Sequence, residues 1–230
     1  MIYHCLFEQS GTFKNVFKKF GHESYDYDIL DDYGQTDYKI DLFNEINNAW
    51  DKLVNGVSIN TIFDKMSAGK DFIVAFFPCT YFSSQNELVF KCLGYNNKNE
   101  LSKDNLSNII NREYQRAAYY EYFIKFCYIV EKLNIPTIIE NPYCMGGRNY
   151  LNLYSPYRPS YVDMNRSLFG DDKIKPTMYF AINFEMDEKF MMYTQITATK
   201  SIHNLSQRQR SEITPLYAEN FYRRFLEKVV

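Results

Sequence analysis

The chain has 230 residues, with 26 Lys and Arg against 28 Asp and Glu and a formal net charge of −2. With 46% hydrophobic and 18% aromatic residues it can bury a sizeable core, which excludes global disorder, and the charge balance excludes a strongly basic nucleic-acid binder, though not a local basic patch. A mean hydropathy of −0.43 with short apolar runs predicts no membrane span; the first residues lack the basic region and apolar core of a signal peptide, and five Cys without a C-x-x-C pair predict reduced thiols in a cytoplasmic protein.

In chain order, residues 2–7 form a short apolar run that predicts a strand, followed by the polar turn Glu8-Gln9-Ser10-Gly11-Thr12. Thr12 is placed to cap a helix over residues 13–20, with Phe13, Val16, Phe17 and Phe20 on one face and Gly21 as its stop. Residues 24–29 alternate Tyr25, Tyr27 and Ile29 with Ser24, Asp26 and Asp28, a strand pattern. Strand, glycine turn, helix, strand is the opening of a doubly wound, mostly parallel α/β sheet. A short strand at Tyr38-Lys39-Ile40-Asp41 precedes a helix over residues 42–54 with Phe43, Ile46 and Trp50 on one face. Residues 72–77 are apolar on both faces, as a central parallel strand is. Residues 83–111, rich in Asn, Lys and Ser, read as a loop or lid insertion with broken helical pieces, in a single domain over residues 1–230. A long helix over 112–133, a buried strand over 137–140, a Pro/Tyr-rich stretch, a strand over 176–182 and a last helix opened by Thr214-Pro215 complete the order.

Two of the apolar strands stop at a polar residue beside a proline, Phe77-Pro78-Cys79 and Glu140-Asn141-Pro142. In open α/β sheets ligands bind beyond the carboxyl ends of the strands, so Cys79 and Glu140 share an edge with the Gly11 turn. There they are a candidate nucleophile and a candidate acid, against the plainer reading of a small buried residue and a loop cap.

These segments resemble the cytosine-5 DNA methyltransferase family. Leu6-Phe7-Glu8-Gln9-Ser10-Gly11-Thr12-Phe13 is similar to its cofactor loop, and Tyr27-Asp28 stands where the family has an acid after its second strand. Phe77-Pro78-Cys79-Thr80-Tyr81-Phe82-Ser83 resembles the signature around the catalytic Cys, and Ile139-Glu140-Asn141-Pro142 the Glu-Asn-Val motif with Pro for Val. Phe169-Gly170-Asp171 and Lys175-Pro176-Thr177 resemble a compact phage-type branch. The resemblance implies a Rossmann-like methyltransferase fold and methyl transfer from S-adenosylmethionine to carbon 5 of cytosine in DNA. It makes Cys79 the nucleophile that adds to carbon 6, Glu140 the partner of ring nitrogen 3, and Asn141 the residue that positions the turn. It assigns Phe7 and Gly11 to the methionine part of the cofactor, Asp28 to the ribose hydroxyls, Asp41 to the adenine amino group and Pro78 to packing near the adenine. For Asp26, Asp31 and Asp32 the expectation is solvated charge.

The family's target-recognition domain has no counterpart, because residues 183–213 number 31. The insertion at 83–111 and the Arg/Tyr-rich stretch 148–166 are the candidates to take over, and single-stranded DNA, a nucleotide or RNA pyrimidine, or a non-catalytic accessory role stay open. Gln207-Arg208-Gln209-Arg210 reads first as a solvated helix entry and second as a phosphate contact, with Lys175 a candidate positive charge near the base. His4, His22 and His203 have no carboxylate or Cys at metal spacing, so no metal site is expected. Cys5, Cys92, Cys127 and Cys144 read as packing residues, Cys144 near the rim of the site. Tyr81, Tyr143, Tyr150 and Tyr154 are candidates for stacking on a flipped base.

Overall fold

A computed structural model of the chain describes residues 1–83, 90, 103–144, 149–189, 191 and 205–228. The strands are β1 (Ile2–Leu6), β2 (Glu23–Asp28), β3 (Tyr38–Lys39), β4 (Asp71–Phe76), β5 (Thr137–Pro142), β6 (Tyr161–Asp163) and β7 (Thr177–Ile182). The helices are α1 (Thr12–Lys19), α2 (Leu42–Asn55), α3 (Lys103–Lys132), α4 (Tyr150–Tyr154), α5 (Gln207–Ser211) and α6 (Pro215–Phe221), the last running on into a π turn, Tyr222–Leu226. The sheet order is β3-β2-β1-β4-β5-β7-β6. All pairs are parallel except those of β7, which runs against both β5 and β6. The fold is thus the doubly wound, mostly parallel α/β sheet expected.

Strand alternation builds two cores. From β1, Tyr3 and Cys5 face one side and Leu6 the other; from β4, Phe72 and Val74 face against Ile73 and Ala75. Leu42 and Ile46 of α2 and Phe123, Phe126 and Val130 of α3 cover the Leu6 side. Phe13, Val16 and Phe17 of α1 and Tyr217 and Phe221 of α6 cover the Tyr3 side, where Tyr3 stacks on Phe17 at 4.1 Å between centroids. Because the order changes direction between β1 and β4, the loops after these two strands flank the switch point at the carboxyl edge. They carry Gly11 and Cys79.

Several sequence expectations change. The N-cap of α1 is Gly11, not Thr12, at φ 68 and without a side-chain cap bond of its own. The buried Glu8 carboxylate does the capping from five residues upstream: Oε1 accepts from Phe13 N at 2.9 Å and Oε2 from Lys14 N at 3.4 Å. Asp26 is fully buried rather than solvated, because Lys14 Nζ reaches its Oδ1 at 3.0 Å and Asp37 N donates to the same oxygen at 2.7 Å. The long helix begins at Lys103, nine residues before the expected start, so the end of the supposed lid is helical; residues 84–89 and 91–102 of that expectation lie outside the described residues. His4 does have a carboxylate partner: Nε2 meets Asp71 Oδ1 at 2.7 Å and Nδ1 meets the Tyr27 hydroxyl at 2.9 Å, both in the interior. Cys144 is buried, in keeping with a packing residue. Among the described residues no helix is long and apolar enough to cross a membrane, and no group of three His, Cys, Asp or Glu is placed to hold a metal ion.

Candidate active site

Strand register brings the two candidate reacting residues close along the chain edge. Phe76, the last residue of β4, pairs with Glu140 of β5, and Cys79 follows three residues later. The buried Asn141 then ties the strands' ends together, its Nδ2 donating to Phe77 O at 3.0 Å. A turn in which Phe82 N donates to Cys79 O at 3.0 Å directs the loop, and the buried rings of Phe77 and Phe82 lock it beneath. Cys79 itself is half-buried.

Glu140 is buried, and two cations converge on its Oε1: Lys175 Nζ at 3.8 Å and Arg166 Nη1 at 3.9 Å. Both are ion-pair distances, too long for hydrogen bonds. Glu140 Oε1, Asn141 Oδ1 and Arg166 Nε and Nη1 are all buried without a hydrogen-bond partner among the described residues. Buried polar groups are costly when unpaired, so such a concentration marks a place built to receive something.

Arg166 is completely buried. Its Nη2 pairs with Asp171 Oδ2, and its guanidinium lies 4.8 Å from the centre of the Tyr217 ring. Asp171 also faces Lys173 Nζ at 3.5 Å. The loop that carries Arg166, Asp171 and Lys175 is held from behind by α6. Thr214 Oγ1 donates to Gly170 O at 2.6 Å, and Asn220 Nδ2 to Phe169 O at 2.8 Å. Gly170 sits at φ 97, and a Cβ there would lie 2.7 Å from Leu216 Cγ, so the loop can dock only with glycine at this point. Arg166 therefore does not belong to an open recognition stretch. Its role was hidden in the sequence, where the one available sign was a cation five residues before an acid across the Phe169-Gly170 turn.

The Cys79 thiol is pushed up from its ordinary value, first by burial; Lys175 draws it down, Glu140 raises it again and Arg210 lowers it. Arg210, on α5, is half-buried rather than simply solvated. As it stands the group is a thiol at neutral pH, and becoming a nucleophile requires that the Glu140 charge be answered or the cations be brought closer.

The other candidate residues lie on the far side of the switch point. Phe7 has a left-handed backbone (φ 59), donates to Tyr27 O at 2.9 Å, and packs its ring on Phe43 and Phe77, each 5.4 Å away, which links the two loops. Gly11 shares the left-handed region, and Asn15 and Gln35 lie against it, Asn15 Nδ2 and Gln35 Cβ each 3.2 Å from where an added Cβ would be. Asp28 ends β2 half-buried; burial raises its carboxyl, while Oδ1 accepts from Leu30 N at 2.9 Å. Ile29 and Leu30 beside it are exposed aliphatics. Asp41 is exposed and serves as the N-cap of α2, Oδ1 accepting from Phe43 N at 3.0 Å and Asn44 N at 3.2 Å. Pro78 is half-buried between Phe77 and Cys79. Glu8, unassigned from the sequence, is the titratable group of this side: burial raises its carboxyl to about 7 despite the amide donors, and Asp26 adds to the rise. Comparison with protein-family models finds no match to this chain, and comparison with curated proteins finds none.

Proposed function

We propose that the chain transfers a methyl group from S-adenosylmethionine to carbon 5 of cytosine in DNA, with Cys79 as the nucleophile. The observation that carries the reading is the pairing of Cys79 and Glu140 at adjacent strand ends, stitched by Asn141 and faced by two cations among unspent buried polar atoms. A Cys with only a packing role has no use for a buried carboxylate and two ammonium or guanidinium groups beside it.

The chemistry assigns each residue a task. The Cys79 thiolate bonds to carbon 6, which makes carbon 5 nucleophilic toward the methyl group; the carbon 5 proton and the thiolate then leave in turn and restore the ring. Glu140 holds ring nitrogen 3 and its proton, so that the charge developing in the ring is met by a fixed group. Lys175 and Arg166 hold Glu140 from two sides, and Lys175 with Arg210 favours the thiolate. The cofactor supplies an electrophilic methyl group when bound. Phe7, the Gly11 turn and Asp28 would hold it, since the turn presents backbone and Asp28 a half-buried carboxylate beside the exposed Ile29 and Leu30. Asp41 and Pro78 are proposed at the adenine end.

The short connection between β7 and α6 favours a second reading, transfer to a nucleotide or RNA pyrimidine by the same residues, because 31 residues cannot form a domain that reads duplex bases. A non-catalytic accessory role is the outcome left if no chemistry is found. The test is a denaturing gel of protein, S-adenosylmethionine and an oligonucleotide containing 5-fluorocytosine, which cannot release its carbon 5 substituent as a proton. Parent protein is expected to form a covalent adduct and Cys79→Ser none, at unchanged cofactor affinity, since a hydroxyl does not ionise at this pH unaided. A shifted band with both proteins moves the adduct off Cys79. No shift with either, in duplex or single strand, while cofactor binding is measured, passes the lead to the nucleotide or RNA reading.

A further inference from the structure

Residues 29–37 join β2 to β3, and none of them is buried. They nonetheless lie across the candidate cofactor turn and are tied to it by named contacts. Gln9 Oε1 accepts from Asp32 N at 3.1 Å. Gln35 lies on Gly11, its Cβ and Oε1 within 3.2 and 3.4 Å of where a Cβ would be, and Lys14 Nζ donates to Gln35 O. At the far side Tyr33 donates its hydroxyl proton to Glu212 Oε1 at 3.0 Å, bridging to the segment just after Arg210. The ends are held more firmly. Ile40 N donates to Asp28 O at 3.0 Å, and Asp37 is bound to Asp26 and Lys14 in the interior. Within the segment, Thr36 N donates to Asp31 Oδ1 at 3.1 Å and Thr36 Oγ1 to Leu30 O at 2.9 Å, so it moves as a folded turn.

We propose that residues 29–37 form a strap that closes the Gly11 turn and must swing away before a cofactor can use it. The inference rests on the cofactor reading of that turn. Its physical basis is an asymmetry. The Asp37 end is anchored by the buried Lys14 and Asp26, whereas the middle is held by polar contacts, of which that of Lys14 Nζ with Gln35 O reaches a buried group, and it buries no apolar side chain, the composition of a segment that opens at low cost. The left-handed Gly11 backbone, which would let a ligand come close, is covered by the Gln35 side chain from the strap and by Asn15 from α1. The Tyr33 to Glu212 bond also joins this closure to the segment that follows α5.

If the binding-competent state is the open one, the apparent dissociation constant is the intrinsic value divided by the open fraction. Removing the Tyr33 hydrogen bond, or the Gln35 side chain beyond Cβ that lies on the turn, should raise that fraction and tighten binding about twofold to tenfold. The experiment is calorimetry of S-adenosylmethionine and of S-adenosylhomocysteine with parent, Tyr33→Phe and Gln35→Ala, none of which alters a residue of the proposed chemistry. It is paired with amide exchange at Asp32 and Thr36. The expected result is tighter binding by both variants, or binding by the variants alone, with faster exchange at the Asp32 amide, which is bonded to Gln9, and unchanged exchange at the Thr36 amide, whose bond to Asp31 moves with the turn. Binding by the parent with unchanged or weaker affinity in both variants overturns the strap and leaves the cofactor reading standing. No binding by any of the three proteins removes the cofactor reading, and the strap with it.

Discussion

The two halves of the carboxyl edge are built on opposite plans. On the β4 and β5 side, a buried hydrogen bond from Asn141 fixes the Cys79 loop, while Glu140 Oε1 and two nitrogens of Arg166 remain unspent. On the β1 and β2 side most polar groups are met from within: Glu8 by the amides of α1 and Asp26 Oδ1 by Lys14 and Asp37 N, with Asp26 Oδ2 the buried oxygen without a hydrogen bond among the described residues, while Gln35 and Asn15 lie on Gly11. The first half is preorganised and incomplete, as a site for a reacting group should be. The second spends most of its polar groups on its own contacts, which a cofactor bound as proposed would exchange for its own.

The largest expected effect comes from removing the cation of the rigid half. Arg166→Met leaves the buried Asp171 with only the longer Lys173 contact in place of its guanidinium partner, which costs about 3 kcal/mol of stability, measured by urea unfolding. Adduct formation should also be lost in the protein that remains folded, with cofactor affinity unchanged. Full adduct yield in that variant would show that Lys175 alone serves Glu140 and would weaken the contrast. On the other half, Glu8→Gln tests whether completeness there depends on proton uptake. The Glu8 carboxyl is raised from 4.5 to about 7, so the stability it contributes is present below pH 4.5 and lost as pH rises through 7. Above that window the variant, which keeps an acceptor for Phe13 N, should be more stable than the parent by about 3 kcal/mol, and the two should converge at pH 4.5. Parallel unfolding curves across the window would show that Glu8 stays ionised. The smallest effect belongs to Asp41. Its cap bonds predict a loss of about 1 kcal/mol for Asp41→Ala and almost none for Asp41→Asn. Weaker cofactor binding by Asp41→Asn, with stability kept, would add a ligand contact to the cap.

Legibility followed the same division between apolar pattern and charge. The runs that became β1, β4, β5 and β7 are apolar enough to be read as buried strands, and each ends near the predicted residue because a polar group or proline follows. The alternation of α1 and the proline at the start of α6 likewise fixed those helices. β6 was not readable, since Tyr161–Asp163 has three residues and no alternation to detect, and it exists because β7 offers it an edge. The first turns of α3 were missed because residues 104–108 are exposed on every side and carry no apolar stripe.

What the sequence by itself determined is the order of the longer strands and helices, the carboxyl edge, and the placing of Cys79, Glu140 and Gly11 along it. These follow from periodicities of two and 3.6 and from the rule that parallel strands present their ends together. What tertiary structure alone decided is which charges are inside. Lys14 and Asp26 lie 12 residues apart in the chain, and Arg166 lies 26 residues from Glu140, yet each pair meets in the interior. A charged side chain read singly belongs in water; it is buried only when folding brings a partner to within ion-pair distance, and that partner is set by packing between elements rather than by any local pattern.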